Sequence, residues 1–226
     1  MCLRRKGEKN KVEIVAKKPI TAWKKTLQAI MDNGVDFVDR DKRVCRELLN
    51  LLLVIESTDD IEDPVDVMKS FKDFVYPSKE EIGNVILDKV GRSGYGYNYG
   101  QRLFNYKGVK NQIDDFVLPL LKSNPSSRRA VAIIYDPLTD SKKNKKSIPA
   151  LLSVYFKIFK GALDVSIVIR SNDFFIGWPA NILQINLLQK YIAEKLKLPT
   201  GKLTVFSNSA HVFQENFDKI NKIIED

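Results

Sequence analysis

Cysteine is scarce in this 226-residue chain: Cys2 and Cys45 are too few for a disulfide framework and form no paired metal motif. Long apolar runs are missing too. The longest candidate, Leu48 to Ile55, is broken by Asn50 and is too short to span a bilayer. The first residues are too polar to be expected to act as a signal peptide, because Arg4, Arg5 and Lys6 are followed by further charges. These absences argue against a disulfide-stapled secreted domain and a helical membrane protein, and a cytoplasmic protein is expected. No internal repeat or low-complexity tract occurs. An apolar content of 44% supplies one sizeable core, so residues 1–226 are expected to form a single domain.

What is plentiful is positive charge. The net charge is +9, and the first 25 residues hold nine basic side chains against Glu8 and Glu13. The excess is therefore largely a basic N-terminal segment, reaching to about residue 18. Lys142, Lys143, Lys145 and Lys146 form a second cluster. A basic arm can bind nucleic acid. No recognition motif accompanies this one, so solvated lysines are the plainer reading and nucleic acid the less favoured partner.

Apolar spacing predicts a mixed architecture. Pro19 to Asn33 reads as a helix stopped by Asn33-Gly34, whereas Arg43 to Ile55 is a buried run that periodicity cannot assign to helix or strand. Asp60 to Val75 is acidic and weakly helical, and the glycines between Arg92 and Gly100 predict a loop. Asn111 to Lys122 is predicted helical, with Ile113, Phe116, Val117 and Leu120 on one face. Beyond Arg129 the period changes to that of strands: Ala130–Tyr135, Leu151–Phe159, Leu163–Arg170 and Lys202–Asn208. Helices are expected over Ala180–Leu196 and Phe213–Ile224. The class is α+β, a sheet with helices packed against it.

Arg170-Ser171-Asn172-Asp173 follows a predicted strand, and Gly177-Trp178-Pro179-Ala180-Asn181 then enters a helix. Arg and Ser suit a phosphate, since a guanidinium offers paired charged donors and a hydroxyl adds another. Asn181 carries a donor and an acceptor, as needed to read an amide edge such as that of uracil. Taken alone, these segments are also ordinary turn chemistry. Arg128-Arg129 at a strand entrance and His211, the one histidine, say little by themselves.

Together the pieces are more specific. Arg170 to Asn181 resembles the signature of the thymidylate synthase family, an Arg-Ser-x-Asp followed by Gly-x-Pro-x-Asn. Asn124 to Arg129 with Tyr135-Asp136-Pro137 looks like that family's paired-arginine strand, and Tyr99-Gly100-Gln101-Arg102 like its Tyr-Gly loop. Glu47-Leu48-Leu49 matches the helix bearing its glutamate, and Ala210-His211-Val212-Phe213 its Ala-His-x-Tyr element. The blocks keep the family's order across about residues 40–216, and the short length looks most like its compact archaeal-type members and the related pyrimidine hydroxymethylases.

The resemblance implies a thymidylate synthase-like fold and a homodimer binding a pyrimidine nucleoside monophosphate, dUMP favoured. Arg170 and Ser171 would hold the 5′-phosphate, with Arg128 and Arg129 reaching it from the neighbouring subunit. Asp173 would fix backbone donors near the base, Asn181 would bond its edge, and His211 would bond the sugar. Glu47 would order water for proton transfer, and Tyr99 of the Tyr-Gly loop would be a further catalytic position. The implied one-carbon donor is 5,10-methylenetetrahydrofolate or another reduced pterin.

The departures concern chemistry. The family adds a thiolate to C6 of the pyrimidine so that C5 becomes nucleophilic. Here Ile148-Pro149-Ala150-Leu151 puts Ala150 at the cysteine's place, and a methyl group cannot ionise. Cys45 is expected to be a poor substitute, since on a helix it would point about 200° away from Glu47. Phe213 replaces a tyrosine, and the last residues lack the apolar clamp of larger members. The expectation is either a family enzyme whose nucleophile has been changed, transferring a carbon to C5 once it is restored, or an inactive nucleotide-binding homologue. A basic nucleic-acid binder is the remaining alternative.

Overall fold

A computed structural model describes residues 12–88, 98–144 and 147–225. In chain order the elements are β1 (Glu13–Ala16), α1 (Pro19–Asn33), β2 (Val35–Val38), β3 (Val44–Ile55), α2 (Asp63–Ser70), α3 (Lys79–Leu87) and α4 (Tyr99–Phe104). They continue with α5 (Leu118–Ser123), β4 (Val131–Ile133), α6 (Pro137–Asp140), β5 (Leu151–Phe159), β6 (Ala162–Ile169) and β7 (Asn172–Asp173). Last come α7 (Gly177–Leu196), β8 (Thr200–Phe213) and α8 (Phe217–Glu225). The strands form one mixed sheet in the order β1-β3-β8-β6-β5-β4, with β2 on β3 and β7 on β8. This is the α+β class expected from the sequence. Among the described residues no helix is long and apolar enough to cross a membrane.

The register explains why the sheet has two different faces. Residues paired across a ladder point to the same side, and neighbours along a strand point to opposite sides. One transverse row runs Ile14, Leu53, Val205, Ile167, Val154 and Ala132, all buried. The adjacent row of Val15, Val54, Thr204, Ser166 and Tyr155 faces the other way, with Val15 48% and Tyr155 42% exposed. Leu52, Phe206 and Val168 extend that second face, and none of the three is fully buried.

Helices α1 and α7 cover the buried face. Trp23 of α1 stacks on Trp178 of α7 at 6.4 Å, and its indole N–H donates to the Phe174 carbonyl at 2.5 Å. Each fully buried indole removes about 200 Å² from water, worth roughly 5 kcal/mol. Arg102 of α4 donates two hydrogen bonds to the buried Asp140 carboxylate of α6, at 2.5 and 2.9 Å. It also bonds the Ile134 carbonyl at 2.7 Å, which moors α4 beside β4.

Several expectations change. The run from Arg43 to Ile55 is a strand, so Glu47 lies on β3 and not on a helix. Its period was masked because both sheet faces are apolar here: Leu51, Leu53 and Ile55 point inward, Leu52 and Val54 outward. On a strand, Cys45 and Glu47 share a face, so the helical argument against Cys45 fails. Tyr99 and Gly100 open helix α4, capped by the Asn98 side chain, rather than ending a loop; residues 92–97 of that predicted loop lie outside the described residues. The helix from Asn111 begins with a π turn at Ile113–Val117, where Val117 N–H bonds the Gln112 carbonyl at 3.0 Å. The wider turn rotates Phe116 outward to 40% exposure, and Leu118 and Leu121 point inward. Strand β8 runs on through Phe213, so the last helix starts only at Phe217. Of the basic N-terminal segment, residues 1–11 lie outside the described residues.

Gly100 is where α4 meets the end of α3. A Cβ there would lie 2.6 Å from the Asp88 carbonyl oxygen and 2.8 Å from both Asp88 N and Ile86 O, all backbone atoms. Gly100→Ala must push α4 away, at a cost of about 1–3 kcal/mol. Thermal denaturation should show a lower midpoint; an unchanged midpoint would contradict this packing.

Candidate functional site

Strand β6 runs parallel to β8 as far as Ile169, opposite Ser207, and β7 then resumes along the same edge with Asn172 opposite Ala210 and Asp173 opposite His211. Arg170 and Ser171 fill the interruption. Ser209 N–H bonds the Arg170 carbonyl at 3.2 Å, so the strand path continues while both side chains are freed from the core. The Arg170 guanidinium turns back onto the preceding loop, with Nε donating to the Pro149 carbonyl at 3.0 Å and Nη2 to the Ile148 carbonyl at 2.8 Å. Arg170 N–H bonds the Ala150 carbonyl at 2.9 Å. Arg170, Ser171 and Ala150 therefore occupy one locus at the start of β5.

Asp173 and His211 form the inner side of this locus. Asp173 Oδ1 accepts from the backbone N–H groups of Phe175 and Ile176, at 2.9 and 3.0 Å, and shapes the turn into α7. His211 is 8% exposed, faces Asp173 on one side and Glu47 on the other, and Ser209 Oγ lies 3.3 Å from its Nδ1. Burial pushes the imidazole below its ordinary value, against the pull of Asp173 and Glu47, and pushes the Asp173 carboxyl up, against its two backbone donors. The neutral ring can donate one hydrogen bond and accept another. Phe213 packs edge-on to His211 and lies under the Arg43 guanidinium, 3.3 Å from its ring centre. Arg43 is itself paired with Glu215.

A cleft of about 420 Å³ opens between α3, α4 and the start of α7. Glu81, Ile82, Tyr99, Asn181 and Gln184 line it. Its inner recess is lined by Tyr99, Asn181 and Gln184 together with Leu151, the residue after Ala150. Leu151 N–H points to the Tyr99 hydroxyl at 3.4 Å. Gly177 lies between Asp173 and Asn181, its Cβ position 3.6 Å from Asp173 Cβ and 3.7 Å from Asn181 Nδ2. The cleft and the arginine locus are therefore adjoining parts of one site.

Tyr76 ties them together. Its hydroxyl donates to the Ile176 carbonyl at 2.7 Å and accepts from Ala180 N–H at 3.1 Å, and burial raises its pKa well above the ordinary range. Tyr76, Glu81 and Gln184 were not anticipated from the sequence. Ser78-x-x-Glu81 is a capping box, and Gln184 falls one turn after Asn181 on the same helix face; either signal could have drawn attention to them.

Not every singled-out residue joins this locus. Arg128 and Arg129 are exposed just before β4. Phe156 N–H bonds the Ala130 carbonyl and Val131 pairs with Tyr155, so they lie near the Lys157 end of β5. At about 3.4 Å per residue that is roughly 20 Å from Ala150 along the strand. Cys45 is 2% exposed and its thiol is pushed up to about 11, chiefly by burial, so it is no substitute nucleophile, for a reason other than helical geometry.

Comparison with known proteins identifies the family. The family model described as thymidylate synthase matches residues 6–226. A protein named "Putative thymidylate synthase" from Methanococcoides burtonii is 32% identical over 204 residues, covering 90% of each chain. One of the same name from Methanosarcina barkeri is 32% identical over 213 residues, covering 94% of each. A "Thymidylate synthase" from Bacillus licheniformis is 30% identical over 129 residues, 57% of this chain and 46% of that protein. With its length and sheet spanned almost completely by the archaeal relatives, the chain belongs to the thymidylate synthase family, as one of its compact archaeal-type members.

Proposed function

We propose that the protein binds a pyrimidine nucleoside monophosphate, dUMP favoured, across the arginine locus and the adjoining cleft. The observation that carries this reading is the Arg170 guanidinium held against the Ile148 and Pro149 carbonyls, beside Ala150 and one strand away from His211. An anion at this locus meets a fixed cation and the Ser171 hydroxyl, while a planar base can enter between Tyr99 and Asn181. In this reading His211 bonds the sugar, Asp173 orients backbone donors, and Glu47 orders water near His211. Truncating the guanidinium in Arg170→Ala should weaken dUMP binding by about 2–3 kcal/mol, close to a hundredfold, in a calorimetric titration. Unchanged affinity would remove the phosphate role.

The nucleotide reading requires a second copy of the chain. Arg128 and Arg129 lie too far along β5 to share a phosphate with Arg170 in one molecule, whereas a neighbour could supply them. The open sheet face, with Val15, Val54, Val168, Phe206 and Tyr155, offers the apolar surface for such a homodimer. Light scattering should give twice the chain mass, and Phe206→Glu should shift the population to monomer. A wild-type monomer at micromolar concentration would refute the pairing.

Ala150 is the missing chemistry. The lining suits a reduced pterin, since Pro77, Ile82 and Val85 form an apolar wall beside the Tyr99 ring, against which a flat heterocycle can lie. When bound, such a group supplies a one-carbon unit. Nothing in the Ile148–Leu151 loop can add to C6, so the chain as written is a nucleotide-binding member, and transfer to C5 would need a thiol at position 150. Ala150→Cys should restore a thiolate, favoured by the nearby Arg170 cation. The variant should then release tritium from C5 of dUMP into water. Tight dUMP binding without release would instead favour an inactive homologue whose pocket has shifted, since about 1 Å of misplacement can cost about a hundredfold.

A further inference from the structure

Helix α7 begins where its own sequence gives little help. The residue at its cap, Ile176, is apolar and makes no capping hydrogen bond. Gly177 at the first helical position is among the weakest helix formers, and Pro179 has no N–H to give. The hydrogen bonds that shape this start come from elsewhere. Asp173 Oδ1 accepts from the N–H groups of Phe175 and Ile176. The Tyr76 hydroxyl serves the next pair, donating to the Ile176 carbonyl at 2.7 Å and accepting from Ala180 N–H at 3.1 Å. Tyr76 is 8% exposed and its ring packs on Phe74, 5.9 Å away, so the hydroxyl is delivered by a side chain that packing holds in place.

Asn181 is what this arrangement fixes. It follows Ala180 directly and lines both the cleft and its inner recess. Across the cleft, Pro77 follows Tyr76 directly and starts the other wall, which continues through the Ser78–Glu81 capping box to Ile82 and Val85 of α3. One hydroxyl thus sets where the Asn181 amide stands relative to that wall. The arginine locus lies before Asp173 and is fastened by separate bonds to the Ile148 and Pro149 carbonyls. In the reading above, the base enters beside Asn181, and an amide serves a base edge only within the narrow range of about 2.7–3.2 Å. We infer that Tyr76 is a positioning residue for the base: its hydroxyl fixes the first turn of α7, and with it the Asn181 amide, without itself lining the cleft. This rests on the nucleotide reading above.

Tyr76→Phe removes the hydroxyl and keeps the ring. Calorimetric titration of the full chain with dUMP, for the wild type, Tyr76→Phe, Asn181→Ala and the double variant, separates positioning from packing. Tyr76→Phe should lose about tenfold in affinity. In the Asn181→Ala background the same change should cost less than about twofold, because the group it positions is gone. An equal loss in both backgrounds would mean that Tyr76 only supports the fold, and would overturn the inference. So would a Tyr76→Phe variant that binds dUMP as tightly as the wild type, and either result leaves the nucleotide reading intact. If the wild type does not bind dUMP, the nucleotide reading fails and this inference with it. If Tyr76→Phe does not fold by circular dichroism, amide hydrogen exchange on the wild type decides. The Ala180 and Asn181 N–H groups should then exchange as slowly as the interior of α7, and exchange as fast as a frayed helix end would overturn the inference.

Discussion

The fold depends on strand β8 being paired along both edges. One edge meets β3 in antiparallel register from Leu203 to Phe213, and the other meets β6 and then β7 in parallel. Because β7 keeps the register of β6, the two residues between them must leave the ladder without shifting it. That is how Arg170 and Ser171 are displayed at a sheet edge while Asp173 is drawn back against His211. The site is thus a local interruption of the most constrained part of the sheet.

Legibility in the sequence followed how many faces of an element are buried by the same kind of residue. Leu151–Phe159 was readable to the residue, because Tyr155 and Lys157 alternate with buried Val154 and Phe156. Strand β3 was not, because its outward Leu52 and Val54 are as apolar as the inward side, and alternation disappears when both faces avoid water. The Arg170–Asn181 segment could be recognised because its residue types are unusual together. Tyr76 could not, because its two backbone partners come together only once α7 has formed beside it. Glu47 carried the wrong local structure, since a short acidic-apolar triplet fits helix and strand equally well.

Keeping a fastened arginine, a largely apolar cleft and a neutral histidine around an alanine separates two demands that the family usually meets together. Holding a nucleotide needs fixed donors and shape, which backbone geometry maintains. Forming a covalent bond needs one ionisable atom, which a single codon removes. The loop at Ile148–Ala150 remains fastened to Arg170 by three hydrogen bonds, although the residue it presents carries only a methyl group.

The Tyr76 phenol lies between Ile176 C=O and Ala180 N–H, the two groups that would make the first i→i−4 bond at the start of α7. The next residue, Pro77, forms a wall of the cleft, and Ala180 and Asn181 form its floor. Wall and floor are therefore joined through one aromatic ring and one peptide bond. The gap between them works like the jaw of a fixed spanner, its width held by the two hydrogen bonds of the Tyr76 hydroxyl.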